Sequence, residues 1–361
     1  GLSTAINERT KRIMAFTTVN NGSDYFKSVR YQGTGNDNLA VTGVGFSSDF
    51  TWTKKLETTT NERAYLFDTI RGATKYLNSS HPDAEQTATN SLKAWTSDGY
   101  TAGTNNAVNQ SSSYSYTTMN WKANGTASAN TDGSISSTVS ANTTSGFSIV
   151  KYTGTGANAT VGHGLGSAPK MVIVKNITIS ESWNIYHASL TSPAYLLQLN
   201  TTSAEFSNAS TWYSTAPSSS VFSIGTDVGV NGNGNTFIAY CFADVQGYCK
   251  TGQYTSNGNV DGAFVYTGFK PAVLLVKNIS QATDWIMFSN DRNGYNGNNT
   301  PIFPNTETGA GNATDNAIDL LSNGFKVRTA GSKLNGDGAG QTLIYMALGQ
   351  TLVGTNNVPN N

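Results

Sequence analysis

The sequence predicts an all-β protein made of tandem antiparallel β-sandwich domains of jelly-roll-like type, preceded by a short N-terminal helical arm. Charged residues form only 12% of the 361 residues, and Gly, Asn, Ser and Thr separate short apolar runs. Helical periodicity is absent from these runs. In addition, one order of landmarks occurs three times along the chain, which is typical of a repeated domain.

Each copy of the repeat has a Tyr-x-Gly-type start, continues through an apolar run that ends in Lys, and finishes with an aromatic apolar strand. Tyr31 and Tyr152 are 121 residues apart, and Tyr152 and Tyr254 are 102 apart. The lysines keep the same spacing and are Lys54, Lys175 and Lys277. In the second and third copies a Trp-led run follows the lysine, so we expect two strands joined by a turn.

The repeat divides the chain into successive segments. They are an N-terminal arm 1–25, a divergent first β module 26–123, a polar linker 124–146, a second β module 147–249, a third β module 250–350 and a C-terminal tail 351–361. About 100 residues is the size of one small sandwich, so we expect beads on a string. The linker has too little apolar surface for a core, so it is either a linker or a strand lent to a neighbour. The divergence of the first module suggests that one end attaches while the other projects.

The predicted helical arm lies near the start of the chain. Ser3 can cap a helix over 4–12, in which Ile6 and Ile13 flank a charged stretch that contains Arg9. We therefore expect Ile6, Arg9 and Ile13 to form a docking arm.

Composition argues against several function classes. Lys plus Arg and Asp plus Glu both number 22, so no net field attracts nucleic acid. No apolar run approaches the ~18 residues that span a bilayer, so we expect no membrane insertion. The three histidines occur in unrelated contexts, no Gly-x-Ser-x-Gly elbow occurs, and Cys241 and Cys249 are expected as buried thiols. We predict no enzyme, no cofactor and no metal.

Three aromatic residues fall in polar stretches outside the apolar runs: Trp95, Trp212 and Tyr213. They are candidates for stacking against a sugar ring or for burial in a partner chain. The alternative is a satellite core under a long loop.

The stretch 147–176, which contains Tyr152-Thr-Gly-Thr-Gly156 and Pro169-Lys-Met-Val-Ile-Val-Lys-Asn176, resembles a repeat family of virion structural and tail-fibre-like proteins in marine tailed phages. Residues 183–187, 237–243 and 319–325 fit the same family, and the first module fits it loosely. The resemblance implies a structural protein on the virion surface, as tail fibre, baseplate or head decoration, assembled in the host cytoplasm. The implied partners are copies of itself and other virion proteins.

Two alternatives remain open at this stage. One is a carbohydrate-binding, adhesive protein whose partner is a host surface glycan. The other is a glycan depolymerase. The resemblance supplies no catalytic residues.

Overall fold

The computed structural model describes residues 15–57, 63–292, 296, 300–311, 317–350 and 353–355. Ile6, Arg9 and Ile13 therefore lie outside the described residues, and the predicted helical arm with them. We name the three repeats copy 1 (22–123), copy 2 (124–248) and copy 3 (249–350).

Copy 1 is built from a six-stranded and a three-stranded antiparallel sheet. Its strands are β1 (Phe26–Gln32), β2 (Leu39–Val41), β3 (Phe50–Lys55), β4 (Tyr65–Asp68), β5 (Lys75–Asn78), β6 (Gln86–Thr87), β7 (Leu92–Thr96), β8 (Gly99–Ala102) and β9 (Ser115–Trp121). The larger sheet has the order β1-β9-β3-β4-β5-β6, and the smaller one has the order β2-β8-β7. A 3₁₀ turn (Gly22–Asp24) precedes β1, and helix α1 (Asn106–Asn109) precedes β9.

Copy 2 repeats this plan with two extra strands at its start. Its elements are β10 (Ser128–Asn130), β11 (Ser137–Asn142), β12 (Phe147–Thr153), β13 (Ala159–Gly162), β14 (Met171–Asn176), β15 (Asn184–His187), β16 (Tyr195–Gln198), β17 (Phe206–Ser207), α2 (Ala209–Trp212), β18 (Val221–Ile224), α3 (Val228–Asn231) and β19 (Thr236–Phe242). The larger sheet has the order β10-β11-β12-β19-β14-β15-β16-β17, and β13 pairs with β18.

Copy 3 has the fewest strands in the described part of the chain. Its elements are β20 (Cys249–Asn257), β21 (Phe264–Tyr266), β22 (Lys270–Asn278), β23 (Ile286–Ser289), β24 (Ile318–Leu321), β25 (Gly324–Val327), α4 (Ser332–Asn335) and β26 (Ala339–Gln350). The sheet orders are β20-β26-β22-β23 and β21-β25-β24. The prediction of an all-β protein with antiparallel sandwiches is confirmed.

The landmark tyrosines hold the two layers of each copy together. The hydroxyls of Tyr31, Tyr152 and Tyr254 each donate to a backbone carbonyl in or beside a short helix, at 2.7 Å in all three copies. In the motif that follows, Gly156 has φ +71°, a conformation that favours glycine. The landmark tyrosine therefore marks the point where the chain is held against a short helix.

The larger sheets of all three copies face one central core. Trp121, Phe242 and Leu348, at the ends of the last strands, are buried together in it. Neighbouring residues on one strand enter different cores, because Ile149 of β12 lies in the central core and Val150 in the core between the two sheets of copy 2. Strands covered on both faces are apolar throughout rather than alternating. The expectation of separate beads is wrong, because the copies share a core.

Backbone hydrogen bonds join the copies in a closed ring, and we call each contact surface between successive copies a seam. Glu85 N–H donates to the carbonyl of Ile177, and Glu205 N–H donates to that of Ile279, both at 3.1 Å. The same bond recurs from copy 3 back to copy 1, where Ala310 N–H donates to the carbonyl of Leu56 at 2.8 Å. The acceptors occupy equivalent positions in the repeat, so the ring has pseudo-threefold symmetry.

The Trp-led runs also lie at the seams. Trp183 Nε1 donates to the carbonyl of Asn78 in copy 1 at 2.7 Å, and Trp285 Nε1 donates to that of Gln198 in copy 2 at 3.0 Å. Both indoles are almost fully buried. These two tryptophans therefore fix copy 2 against copy 1 and copy 3 against copy 2.

The repeated lysines are buried and donate to backbone carbonyls. Lys54 Nζ reaches the carbonyl of Thr306 at 2.7 Å, and Lys277 Nζ reaches that of Thr202 at 3.2 Å, so both cross a seam. Lys175 donates to the Asn176 carbonyl at 2.6 Å. Burial lowers the pKa of Lys175 to about 7 and that of Lys277 to about 8.

A buried ion pair of copy 1 lies at the seam with copy 2 and accepts a hydrogen bond from copy 2. Asp68 Oδ2 accepts from Arg71 Nε at 2.5 Å and from the Tyr240 hydroxyl at 2.8 Å. The side chains of Asp68 and Arg71 are fully buried. Burial acts to lower the pKa of Arg71, but Asp68, Tyr240 and Glu85 together outweigh it and the pKa is raised.

The two ends of the ring meet. Gly22 N–H donates to Gln350 Oε1 at 2.6 Å, and a Cβ on Gly22 would lie 2.2 Å from the carbonyl oxygen of Gly349. The expectation that one end of a string attaches while the other projects is therefore wrong.

The polar segment 124–146 belongs to copy 2. Its strand β11 pairs with β12, with Ser137 opposite Tyr152 and Asn142 opposite Phe147. Ile135 is 8% exposed and lies in the core between the sheets of copy 2. Of the two expectations for this segment, the added strand is the one that the structure supports.

Candidate functional site

The three histidines hold backbone and side-chain groups in place. His163 is buried, with Nε2 3.2 Å from the Ser218 carbonyl oxygen and Nδ1 accepting from Leu165 N–H. His187 has the same kind of environment, and His81 lies 3.3 Å from the Glu307 carboxylate. Over the described ranges, no three His, Cys, Asp or Glu side chains form a group that could hold a metal ion.

Cys241 and Cys249 are free and buried, as expected. Burial raises the pKa of both thiols, which keeps them protonated and unreactive. Among the helices that the structure describes, none is long and apolar enough to cross a membrane.

The predicted aromatic contact residues do not form one site. Trp212 is 1% exposed and packs edge-on against Tyr186 in copy 2, so it is a core residue. Tyr213, the next residue, is 54% exposed with φ 49°. Trp95 is half-buried on β7 in copy 1 and packs against the core between the sheets of that copy. The stacking hypothesis is wrong for Trp212, where the alternative of a satellite core applies.

Large exposed apolar side chains concentrate in one place. Three of the seven such residues in the described part of the chain lie within 260–266. The seven are Ile179, Phe206, Tyr213, Val228, Val260, Phe264 and Tyr266. Phe264 is 47% exposed and Tyr266 is 56% exposed, whereas Val265 between them is buried. This alternation follows from the strand, which points successive side chains to opposite faces.

Strand β21, which carries these aromatic residues, is the edge strand of its sheet. It pairs with β25 through Phe264 opposite Lys326, Val265 opposite Phe325 and Tyr266 opposite Gly324. An edge strand presents backbone N–H and C=O groups on its open side. We call this feature, with its two exposed aromatic side chains, the β21 edge.

Charged groups surround the β21 edge. Lys250 Nζ lies 5.6 Å from the centre of the Tyr266 ring and donates to the Tyr266 carbonyl at 3.3 Å. Asp261 pairs with Lys326 at 2.9 Å and with Arg328 at 3.5 Å. The hydrogen bond from Lys326 lowers the pKa of Asp261, which is therefore an anion at neutral pH.

A cavity of about 310 Å³ opens beside Tyr266. Its lining includes Phe16, Asp244, Gln246 and Lys250. Burial raises the pKa of Asp244, whose carboxylate accepts from the N–H of Thr251 at 2.8 Å and from its hydroxyl at 3.0 Å. The site therefore combines open backbone groups, aromatic faces and an ammonium group, which suit binding of an extended chain or a ring rather than bond cleavage.

A sequence model of one protein family, a domain of unknown function (DUF7483), matches residues 21–351. The chain belongs to this family. The match to DUF7483 spans all three copies, in agreement with a ring that is one structural unit. No curated protein and no solved structure matches the chain.

Sequence analysis did not single out the β21 edge. The sequence feature that distinguishes this edge is a difference between copies. Thr160 and Gly162 of copy 2 correspond to Phe264 and Tyr266 of copy 3. The change from Thr and Gly to two aromatic residues on an otherwise matching strand would have marked it.

Proposed function

We propose that this protein is a structural component of the bacteriophage particle surface, in a tail fibre, the baseplate or a head decoration. It acts through assembly and attachment, and it is incorporated in the host cytoplasm. The observation that carries the proposal is a closed ring of three copies in which β21 is an edge strand with two exposed aromatic side chains.

The ring geometry supports a mechanical role. Its seams are made of backbone hydrogen bonds, buried indoles and the hydrogen bond from Tyr240 to the buried Asp68, so the three copies resist separation. Particle components are symmetric assemblies, and a ring with pseudo-threefold symmetry fits a position on a symmetry axis. Its partners are other virion proteins and further copies of the chain.

Immunogold labelling tests the proposal. Antibodies against the purified chain are applied to purified particles of the phage that encodes it, and gold is counted by electron microscopy. We expect gold at one particle substructure, and the same antibodies blocked with purified protein serve as the control. Protein confined to the particle-free lysate would contradict a structural role.

A second candidate is adhesion to a host surface glycan, favoured by the exposure of Tyr213 and Tyr266. Exposed tyrosine faces stack against sugar rings while their hydroxyls bind polar groups. A glycan array with the wild type and with Tyr213→Ala and Tyr266→Ala tests it. Specific binding lost in either variant favours adhesion, and an array without signal leaves assembly as the proposed role.

A further inference from the structure

Copy 2 shows how its own sheet edge is covered. Residues 130–137, which we call the strap, run along the open side of β13, and Ile135 pairs with Val161 in a parallel bridge. Ile135 N–H donates to the Thr160 carbonyl at 3.0 Å, and Thr160 N–H donates to Ser134 Oγ at 2.9 Å. The strap thus bonds both outward backbone groups of Thr160.

The contact with β13 restricts which residues the strap can carry. A Cβ on Gly133 would lie 2.4 Å from the Thr160 carbonyl oxygen, so only glycine allows this close approach. Two residues later, Ile135 is buried beside Val161 in the core between the sheets. The order glycine, hydroxyl residue, aliphatic residue is therefore what the β13 edge accepts.

The β21 edge is the equivalent of the β13 edge. Val161 lies opposite Phe222, and Val265 lies opposite Phe325, with both phenylalanines buried in the cores of their copies. Phe264 consequently takes the place of Thr160. No strap precedes β20, because the chain passes from β19 to β20 through residues 243–248 alone.

The absence of a strap coincides with exposed apolar surface. In copy 2 the two outward positions of β13 are half-buried at Thr160 and buried at Gly162, whereas in copy 3 they are the exposed Phe264 and Tyr266. Copy 1 has only the small Ala40 at the matching position of β2. Large apolar side chains at an open edge are typical of surfaces that a partner covers.

We propose that the β21 edge binds an extended segment of a different protein by parallel strand addition, with the segment in the place that the strap has in copy 2. The segment carries a glycine, a hydroxyl residue and an aliphatic residue in that order. A backbone N–H of the segment donates to the C=O of Phe264, its hydroxyl side chain accepts from the Phe264 N–H, and its aliphatic side chain packs beside Val265. This inference rests on the proposed function, since the donor is a neighbouring protein of the particle.

The chain itself argues for an external donor. In residues 1–361, glycine followed by Ser or Thr and then by Ile, Leu or Val occurs once, at 133–135, and this occurrence already covers copy 2. A second copy therefore has no spare strap to offer.

The test uses the full chain and a labelled peptide with the strap sequence Thr-Asp-Gly-Ser-Ile-Ser-Ser-Thr, taken from residues 131–138. Fluorescence anisotropy measures binding, and hydrogen exchange measures protection of the amides of 264–266. We expect saturable binding and slower exchange at Phe264. Control peptides with Gly133→Val or Ile135→Asp are expected to bind at least tenfold more weakly.

Two protein variants separate backbone pairing from side-chain contact. Phe264→Pro removes the N–H that pairs with the segment, so we expect at least a tenfold loss of affinity. Phe264→Thr installs the residue of copy 2, keeps the N–H and is expected to retain binding. If Phe264→Pro fails to fold, the exchange measurement on the wild type and the control peptides decide the question.

Three outcomes would overturn the inference: no saturable binding with unchanged exchange at 264–266, equal binding of all three peptides, or binding only after removal of residues 1–14. The last outcome would mean that the chain's own N-terminal segment occupies the edge. Particle labelling is independent of the peptide, so labelled particles without peptide binding would refute strand addition alone.

Discussion

Tyr240 tests whether the seam between copies 1 and 2 stabilises the ring. Its hydroxyl donates to the buried carboxylate of Asp68 across the seam, and Tyr240→Phe removes only that hydroxyl. Tyr152 provides the matched control, because it is equally buried and its hydroxyl donates to the Val230 carbonyl within copy 2 at 2.7 Å.

The expected magnitudes differ because the acceptors differ. Loss of a hydrogen bond to a neutral carbonyl costs about 1 kcal/mol, and loss of one to a charged group costs about 2–3 kcal/mol. Asp68 keeps Arg71 as a partner in the variant, which holds the cost within that range. We therefore expect Tyr240→Phe to destabilise by about 2–3 kcal/mol and Tyr152→Phe by about 1 kcal/mol.

Urea denaturation monitored by circular dichroism measures both values. A lower midpoint with an unchanged slope reports a change in stability rather than in the denatured state. The reasoning is refuted if Tyr240→Phe costs no more than Tyr152→Phe, or if it splits the transition so that copies 1 and 2 unfold separately.

Further predictions concern titration and packing. Burial lowers the pKa of His187 from 6.5 to about 4, so the contribution of neutral His187 to stability is complete above pH 6.5 and is lost as the pH falls towards 4. The loss is about 3 kcal/mol. The variant His187→Gln should therefore show a smaller decrease in unfolding free energy between pH 6.5 and pH 4. Burial lowers the pKa of Lys175 from 10.5 to about 7, so the unfolded chain binds more protons between these values and stability rises with pH. Lys175→Met should gain more stability at pH 6 than at pH 10, by about 5 kcal/mol at most, in paired urea titrations; an equal gain at both values would contradict a buried amine. Trp212→Ala should cost about 3–5 kcal/mol in thermal denaturation, because it empties a core site, whereas Tyr213→Ala should change stability by about 0.5 kcal/mol or less; similar costs would contradict the assignment of Trp212 to the core.

The local sequence pattern was sufficient to predict the strands and the repeat. The apolar runs around Ile173 and Leu275, the Gly-rich turns and the spacing of Tyr152 and Tyr254 depend on neighbouring residues, which a sequence displays directly. Their physical cause, a hydroxyl that reaches a short helix at a fixed distance, was visible only in the structure.

The ring could not be derived from those patterns. A residue buried between two sheets of one copy and a residue buried between copies are equally apolar, as Val150 and Ile149 demonstrate. The repeated lysines were the sequence feature that could have indicated contact between copies. A lysine that recurs at the end of an apolar strand needs an acceptor, and the acceptors of Lys54 and Lys277 lie in the neighbouring copy.

The candidate site depended on comparison between copies. Phe264 and Tyr266 are apolar residues in a strand, which predicts burial, and only the missing strap leaves them exposed. Trp212 illustrates the opposite error, because a polar sequence context suggested exposure for a residue that the fold buries.

Scanning calorimetry tests most directly whether the three copies form one closed unit. A shared core predicts a single transition whose van't Hoff enthalpy equals the calorimetric enthalpy. At about 0.7 kcal/mol per residue near 60 °C, unfolding of the whole ring corresponds to about 230 kcal/mol, and unfolding of one copy to about 70 kcal/mol. One transition near the larger value is the predicted result, and two or three transitions near the smaller value would contradict the ring.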